Sequence, residues 1–556
     1  MSQKNPNSLK VIPIGGMYEI GKNMTAYEYG EDIVLVDCGM SFPEDEMLGI
    51  DVVIPDITYL KKNRERVRGI VLTHGHEDHI GSIPYVLREM SIPIYGTALT
   101  LGLVERKCSE YKNIDKLELH VAKPGDKIKF GHIKVELIRV SHSIPDAVAF
   151  CIHTPLGRII HSGDFKVDFT PIDGQRIDLN KFAELGSKGV LLMLAESTNV
   201  MRPGYTMSES TVGRTFEDIF RHTTGRIFVA SFASNVHRIQ QIINAAMLND
   251  RKVAFSGRSM INVSTVAIET GHLKVPEGII IDIKDLERYP ENEVCLITTG
   301  SQGETMSALV RMANGEHRQV KIRPGDTIIL SSSPIPGNEK SVHNIINLLN
   351  EKGANIIYES LADVHVSGHA KKHELMLMHS LVQPKYFVPM HGEYSMLKEH
   401  RELAINMGMD EDDVFILKNG DVLEITRKGA QRLKSVPHGN VLIDGLGVGD
   451  VGNIVLRDRK HLAEDGLMVV VVAFDDVTGE VISGPDLISR GFVYVRESEA
   501  LMDGAKKEIQ KALDKCRAKN IREWSSIKSE IRDTLRSYLY QNTKRSPMIL
   551  PIIMDV

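Results

Sequence analysis

The chain has 556 residues, of which 42% are hydrophobic and 25% charged, with a formal net charge of −6. That length predicts roughly two to four domains, and that composition excludes a disordered chain. There is no apolar run long enough for a transmembrane helix, no apolar leader after the polar start MSQKNPNSLK, and no basic excess, so the expectation is a cytoplasmic globular protein rather than a membrane or nucleic-acid coat protein.

The first half alternates β-branched runs with polar loops. Segments 31–39 (EDIVLVDCG), 68–75 (RGIVLTHG), 133–142 (IKVELIRVSH), 157–164 (GRIIHSGD) and 189–198 (GVLLMLAEST) each read as a buried strand ending in polar residues. This pattern fits an α/β sandwich with functional groups at strand ends. From about 209 the style changes. SESTVGRTFEDIFRHTTG reads as a helix, GRIFVASFAS as a strand and loop, and VHRIQQIINAAMLNDRK as an amphipathic helix through Val236, Ile239, Ile242, Ile243 and Ala246. The strand–loop units RKVAFSGRSM, NEVCLITTGSQG and DTIILSSSPIPGN follow, which predicts an inserted α/β region with a parallel sheet.

Near 355 strand-end histidines return in DVHVSGHA and KYFVPMHGEY. The polar, basic stretch 426–440 reads as a linker. GLGVGDVGN reads as a loop, without the strand–loop–helix context of a dinucleotide site. GLMVVVVAF (466–474) reads as a fully buried strand, and 500–516 as an amphipathic helix through Leu501, Ala505, Ile509, Leu513 and Cys516 with Lys506, Lys507, Lys511 and Lys515 opposite. The basic stretch Lys61–Arg68 reads as a solvated helix end. Cys38, Cys108, Cys151, Cys295 and Cys516 are far apart with no C-x-x-C pair, so they read as buried small side chains rather than disulfides or a zinc site.

The chemistry concentrates in Thr73-His74-Gly75-His76-Glu77-Asp78-His79, which follows the apolar run Gly69–Leu72. In an extended loop His74 and His76 point the same way, while Asp78 and His79 fall on the first turn of a helix, rotated toward a second position. One short loop can thus serve two neighbouring ions, and imidazole and carboxylate are ligands that zinc or manganese accepts. His142 after VELIRVS could complete a first site, Asp164 after IIHSG could bridge both, and His391 in PMHGE could join Asp78 and His79 in a second. Asp37, ending IVLVD, reads as a residue that orients a histidine or the loop backbone. Two metals about 3.5–4 Å apart suit phosphodiester hydrolysis. The ligand set alone leaves thioester, lactone and β-lactam hydrolysis open.

H-x-H-x-D-H after a strand, with Asp37, His142 and Asp164 in order, resembles the metallo-β-lactamase superfamily. The wider chain resembles its β-CASP branch and, nearly end to end, the bacterial ribonuclease J family. The resemblance is carried by Gly16–Asn23 (GMYEIGKN), Phe42–Glu46 (FPEDE), His142–Asp146 (HSIPD), Gly163–Lys166 (GDFK), Ser231–Asn235 (SFASN), Gly300–Glu304 (GSQGE), Ser333–Gly337 (SPIPG), His365–His369 (HVSGH), Met390–Tyr394 (MHGEY), Ser489–Tyr494 (SRGFVY) and Pro547–Pro551 (PMILP).

The resemblance implies an α/β fold: a metallo-β-lactamase αββα sandwich with an inserted β-CASP α/β domain and a small C-terminal α/β domain. The implied boundaries are 1–208 for the first part of the metallo-β-lactamase domain, 209–354 for β-CASP, 355–425 for the return segment, 426–440 for the linker and 441–556 for the C-terminal domain. It implies two zinc ions per subunit, with manganese or magnesium as alternatives. His74, His76, His142 and Asp164 match one site, and Asp78, His79, Asp164 and His391 the other, with Asp78 also in the catalytic set. Glu196, in Ala-Glu-Ser-Thr, matches the acidic motif, although many members carry aspartate there. His369 matches the histidine that protonates or positions the leaving oxygen, a role a neighbouring carboxylate would support. Phosphate contacts are expected from Ser231, Ser234, Asn235, His365, Ser367, Gly368 and His369.

The implied activity is 5′-to-3′ exonucleolytic and endonucleolytic cleavage of RNA, preferring a 5′-monophosphate, in mRNA decay and rRNA maturation. The implied partners are RNA, further copies in a homodimer or tetramer, and a ribonuclease J paralogue. The alternative is a weakly active or non-catalytic partner subunit of a hetero-complex, since some paralogues have lost metal ligands. Here every ligand position is intact.

Overall fold

The structure is a computed structural model that describes residues 8–555, except 113, 115–116, 305, 336–337, 360, 476–477, 479 and 494–497. Pro336, Gly337 and Tyr494 of the motifs above lie outside the described residues. The chain forms two compact units. One runs to Ser41 and resumes over Val53–Val441; the other comprises Phe42–Val52 and the residues from Leu442 on.

In the first unit two sheets carry the fold. An eight-stranded sheet runs, edge to edge, Gly429–Leu433, Val422–Thr426, Leu9–Gly15, Met24–Tyr29, Asp32–Val36, Val67–Val71, Ile94–Gly96 and Leu119–Val121. A six-stranded sheet runs Pro384–Met390, Val190–Glu196, Gly157–His161, Val148–Thr154, Ile133–Arg139 and Lys127–Phe130. Strand periodicity explains the layering. Val34 and Val36 join Leu137, Phe150, Leu192 and Val388 in a core between the sheets, while Ile33 and Leu35 point outward to helices Ile83–Glu89 and Ala98–Cys108. On the other side Met193 and Ala195 pack under helices Leu179–Ser187, Lys372–Val382 and Tyr394–Asn406. The result is a sandwich of two sheets with helices outside.

The insertion is a five-stranded, wholly parallel sheet in the order Lys252–Ser256, Val294–Thr298, Ile227–Ala230, Thr327–Leu330 and Asn355–Tyr358. One face shares a core with the sandwich through Phe216, Ile239, Ile243, Cys295 and Ile329, and the other packs on Leu309, Met312, Ile345 and Leu349. Helix Ala98–Cys108 approaches helix Arg258–Glu269 at Gly102, where a Cβ would stand 2.6 Å from Val266.

Three readings need correction. Within 426–440, expected to be a linker, Gly429–Leu433 is an edge strand antiparallel to Val422–Thr426. Its residues are exposed or half-buried, so the polar composition that suggested a linker is that of a solvated edge. Phe42–Val52, sequentially inside 1–208, groups with the C-terminal residues. There the Asp51 N–H donates to the Ile443 carbonyl at 2.9 Å, and Arg459 donates to the Leu48 carbonyl at 2.9 Å.

The third correction concerns Leu467–Phe474, the central strand between Val481–Arg490 and Met548–Asp555. Met468, Val470 and Val472 pack under helices Glu499–Ala518 and Trp524–Thr543, but Leu467, Val469 and Val471 are only half-buried. An unbroken apolar run reads as covered on both faces; here the helices cover one. All five cysteines are free and buried. Among the described residues no helix is long and apolar enough to cross a membrane.

Candidate metal centre

Parallel pairing gathers the functional residues. Strands Gly157–His161, Val190–Glu196 and Pro384–Met390 are neighbours in parallel, with Glu196 opposite Met390. Their C-terminal ends therefore deliver Asp164, Glu196 and His391 to one place. In the facing sheet Asp32–Val36 and Val67–Val71 are parallel with Val36 opposite Val71, and they lead into Asp37 and the Thr73–His79 loop. His142 follows Ile133–Arg139 and is tied in by the Ser141–Lys166 bridge. Two site residues, Asp37 (φ 63°) and His391 (φ 53°), adopt the left-handed conformation. Such conformations are costly and persist where the surroundings over-determine them.

His74, His76 and His142 form one group that could hold an ion. His76 Nδ1 lies 3.0 Å from His74 Nε2 and 3.2 Å from His142 Nε2. The Nδ1–H of His142 donates to the Gly368 carbonyl at 2.8 Å, which leaves Nε2 a bare lone pair. Thr73 Oγ1 donates to Asp37 and accepts from His74 Nδ1 at 3.0 Å, which leaves His74 Nε2 bare as well. Burial keeps all three neutral: His76 is pushed down to about 4, and His74 and His142 fall well below the usual histidine range.

Asp78, His79, Asp164 and His391 form the second group. Asp164 Oδ2 is 3.2 Å from His79 Nε2 and 3.6 Å from His391 Nε2, and also 3.8 Å from His74 Nε2 and 3.9 Å from His142 Nε2. It thus sits between the two groups. Asp78 Oδ2 is 3.1 Å from His391 Nε2 and 3.3 Å from His79 Nε2. Burial opposes charge on both carboxyls, but the surrounding imidazoles hold them well below the usual range. Burial likewise opposes charge on His79, yet Asp78, Asp164 and Asp37 raise it well above the ordinary value.

These residues fit divalent cations. Asp164 Oδ1 is buried with no hydrogen-bond partner, although a buried carboxylate oxygen ordinarily finds one. The bare Nε2 atoms of His74 and His142 lie 3.8 and 3.9 Å from the same carboxylate's Oδ2, and a nitrogen–carboxylate set of this kind is that of zinc or manganese.

Asp37 is buried behind the centre. It accepts from Thr73 N at 2.8 Å and from His79 Nδ1 at 2.7 Å, which aims His79 Nε2 at Asp164. Gly39 makes room for this packing, since a Cβ there would lie 1.6 Å from the Asp78 carbonyl oxygen.

Glu196 and His369 meet although 173 residues separate them. His369 Nδ1 is 2.7 Å from Glu196 Oε2, while Oε1 accepts from Phe165 N at 2.8 Å. Glu196 is fully buried. Burial opposes charge on His369, but Glu196, then Asp164 and Asp78, raise its pKa to about 9.

The expected phosphate contacts divide. Ser231 Oγ and His365 Nδ1 are buried without a partner. Ser234 is half-buried. The Asn235 side chain caps helix Val236–Leu248 by accepting from Arg238 N, so its oxygen serves the helix. Ser367 Oγ accepts from Asn199 Nδ2 at 2.9 Å and His369 N at 3.2 Å. Gly368 lies against His142, where a Cβ would come within 2.7 Å of the ring.

Sequence reasoning missed Thr198, whose Oγ1 is 2.8 Å from His391 Nδ1, and Asn23, whose Nδ2 is 3.1 Å from the Asp78 carbonyl oxygen and 3.2 Å from His79 Nε2. The Ser-Thr after Glu196 and the Asn ending GMYEIGKN were visible, but nothing local said what they would face.

The double sheet with facing histidine–carboxylate sets is the arrangement of a hydrolase of the metallo-β-lactamase superfamily, and residues 18–176 match that superfamily. Residues 224–349 match the ribonuclease J β-CASP domain, 354–417 the Zn-dependent metallo-hydrolase RNA specificity domain, and 454–556 the ribonuclease J C-terminal domain. Ribonuclease J2 of Bacillus subtilis (strain 168) is 45% identical over 556 residues, spanning 100% of both chains. Ribonuclease J 1 of Streptococcus pyogenes serotype M3 is 44% identical over 549 residues, 99% of this chain and 98% of that one. A solved protein of unknown function from Enterococcus faecalis V583 shares the fold with a TM-score of 0.54 at 16% identity, covering 75% of this chain and 100% of its own. The chain belongs to the ribonuclease J family.

Proposed function

We propose that this protein is a metal-dependent ribonuclease that hydrolyses RNA phosphodiesters in the 5′-to-3′ direction from a 5′-monophosphate end and also internally. The observation that carries the reading is the pair of ligand sets facing each other across Asp164, with one Asp164 oxygen buried and unpartnered. His74, His76 and His142 would hold one divalent ion and Asp78, His79 and His391 a second, with Asp164 between them. Bound there, such ions supply Lewis-acid activation of water and of the phosphodiester.

The chain's own residues do the rest. Glu196 holds His369 Nδ1, so Nε2 is the ring atom left to give a proton to the departing oxygen. Asp37, Thr198 and the Gly368 carbonyl fix His79, His391 and His142 through their Nδ1 atoms. Ser231, Ser234 and the 365–369 segment are assigned to the 5′-phosphate. Both the names of the relatives and the RNA specificity match support RNA as the substrate.

The test is a manganese-supplemented time course on two matched 5′-monophosphate RNAs, one labelled on the 5′ nucleotide and one at the 3′ end. Immediate release of labelled mononucleotide from the first establishes exonuclease action, and discrete internal fragments establish endonuclease action. No cleavage by metal-loaded protein would overturn the enzymatic reading in favour of a partner subunit.

A further inference from the structure

Beside the candidate centre lies a pair of tyrosines that the hydrolytic chemistry does not use. Tyr18 and Tyr394 stack with ring centroids 5.0 Å apart and planes at 26°. They are not core residues: Tyr394 is 50% exposed and Tyr18 36%. Their position is set by the centre itself. Tyr394 opens helix Tyr394–Asn406, three residues after His391, and Met17 and Glu19 on either side of Tyr18 both bridge to Gly392.

The loop holding Tyr18 is over-determined. Tyr18 has φ 62°, a rare and costly conformation for a bulky side chain. The neighbours enforce it. Met17 N donates to Asn419 Oδ1 at 3.0 Å, and Glu19 Oε1 accepts from Asn419 Nδ2 at 2.8 Å and Gly16 N at 3.2 Å. Glu19 Oε2 is 2.9 Å from Lys22 Nζ. A backbone pinned on both sides of a strained residue, with its ring left in water, presents that ring rather than burying it.

The charges around the pair complete the picture. Lys418 Nζ lies over the Tyr18 ring, 5.5 Å from its centroid, and Arg432 is within electrostatic reach. Lys398 is exposed one helical turn from Tyr394. Glu19, paired with Lys22, and Glu393 and Asp421 are the acidic neighbours. Exposed aromatic faces flanked by flexible cations match a single-stranded nucleic acid, whose bases offer π-faces and whose phosphates offer charge.

We propose that Tyr394, backed by Tyr18 and Lys418, is a stacking platform that holds one nucleobase of single-stranded RNA beside the metal centre. The proposal rests on the ribonuclease reading and adds a base-binding position to it. Stacking requires a π-face but no particular hydrogen-bond pattern, so the platform accepts any of the four bases and rejects a position that has none.

The test uses the metal-loaded, full-length protein and a 5′-monophosphorylated RNA carrying a single abasic ribose, moved position by position. In the wild type, one position should cost roughly tenfold in kcat/KM when abasic, the scale of one stacked base. Tyr394→Ala should show that loss with intact RNA, mainly in KM, and no further loss when that position is abasic. Tyr394→Trp should restore both the affinity and the positional penalty. Equal sensitivity of wild type and Tyr394→Ala to the abasic scan at every position overturns the platform while leaving the ribonuclease reading intact. Failure of the wild type to cleave any of these RNAs overturns both.

Discussion

Replacing Glu196 by glutamine removes a charge and almost no volume. The amide oxygen can still accept from Phe165 N, which Glu196 Oε1 does now at 2.8 Å, so the strand end keeps its shape. What cannot survive is the charge-assisted bond from a protonated His369 Nδ1, now 2.7 Å from Oε2, because an amide NH2 in that position can only donate and so favours the neutral ring. A hydrogen bond to a charged group is worth about 1.5–3 kcal/mol. At about 1.4 kcal/mol per decade, Glu196→Gln should therefore slow the chemical step roughly 10- to 150-fold. On the proposed mechanism His369→Ala removes the acid itself, and general acid catalysis is worth about 10²- to 10⁴-fold.

Because Glu196 acts on the proton only through the His369 ring, the double variant should be no slower than His369→Ala alone. The assay is the single-turnover cleavage rate at saturating RNA, with bound metal measured in each preparation. An RNA with a sulfur leaving atom, which needs little protonation, should shrink both defects. Singles whose effects multiply in the double variant, or a Glu196→Gln rate indistinguishable from wild type, would refute the linkage.

His76→Ala should remove a nitrogen shared by both short contacts of the first ligand group, abolishing cleavage and lowering metal content while circular dichroism stays unchanged; retained turnover sinks that assignment. Asp37→Ala strands Thr73 N and His79 Nδ1 in the core, and should cost about 3–5 kcal/mol in urea unfolding and about 10- to 100-fold in metal affinity measured against a competing chelator. Gly39→Ala places a Cβ 1.6 Å from the Asp78 carbonyl oxygen, so the Asp78–His79 turn must move and metal binding should fall although no ligand is altered; wild-type metal content would contradict it. Removing 441–556 should alter the oligomer seen by light scattering and leave metal content in the remaining chain; an unchanged oligomer refutes an assembly role for that segment.

Local sequence made much of this protein legible. The His74–His79 cluster puts its ligands within six residues, so spacing alone suggests two ion positions. Strand runs that end in Asp37, Asp164 and Glu196 announce strand-end chemistry, and the regular strand–loop units after 209 announce a parallel sheet. Local polarity was misleading in places. An exposed edge strand at Gly429–Leu433 has the composition of a linker, and a one-sided sheet strand at Leu467–Phe474 has the composition of a buried one.

What residues lie near in the chain, and which face they share, follows from backbone periodicity, and that much the sequence determined by itself. Tertiary structure alone decided the partners. Glu196 reaches His369, Thr198 reaches His391, and Gly368 carries the carbonyl that holds His142. The stacked pair of Tyr18 and Tyr394 also emerges only when the Gly392 bridges form. A side chain's chemistry depends on which atoms face it at about 3 Å, and for these residues those atoms come from segments remote in the chain that parallel pairing and core packing bring together.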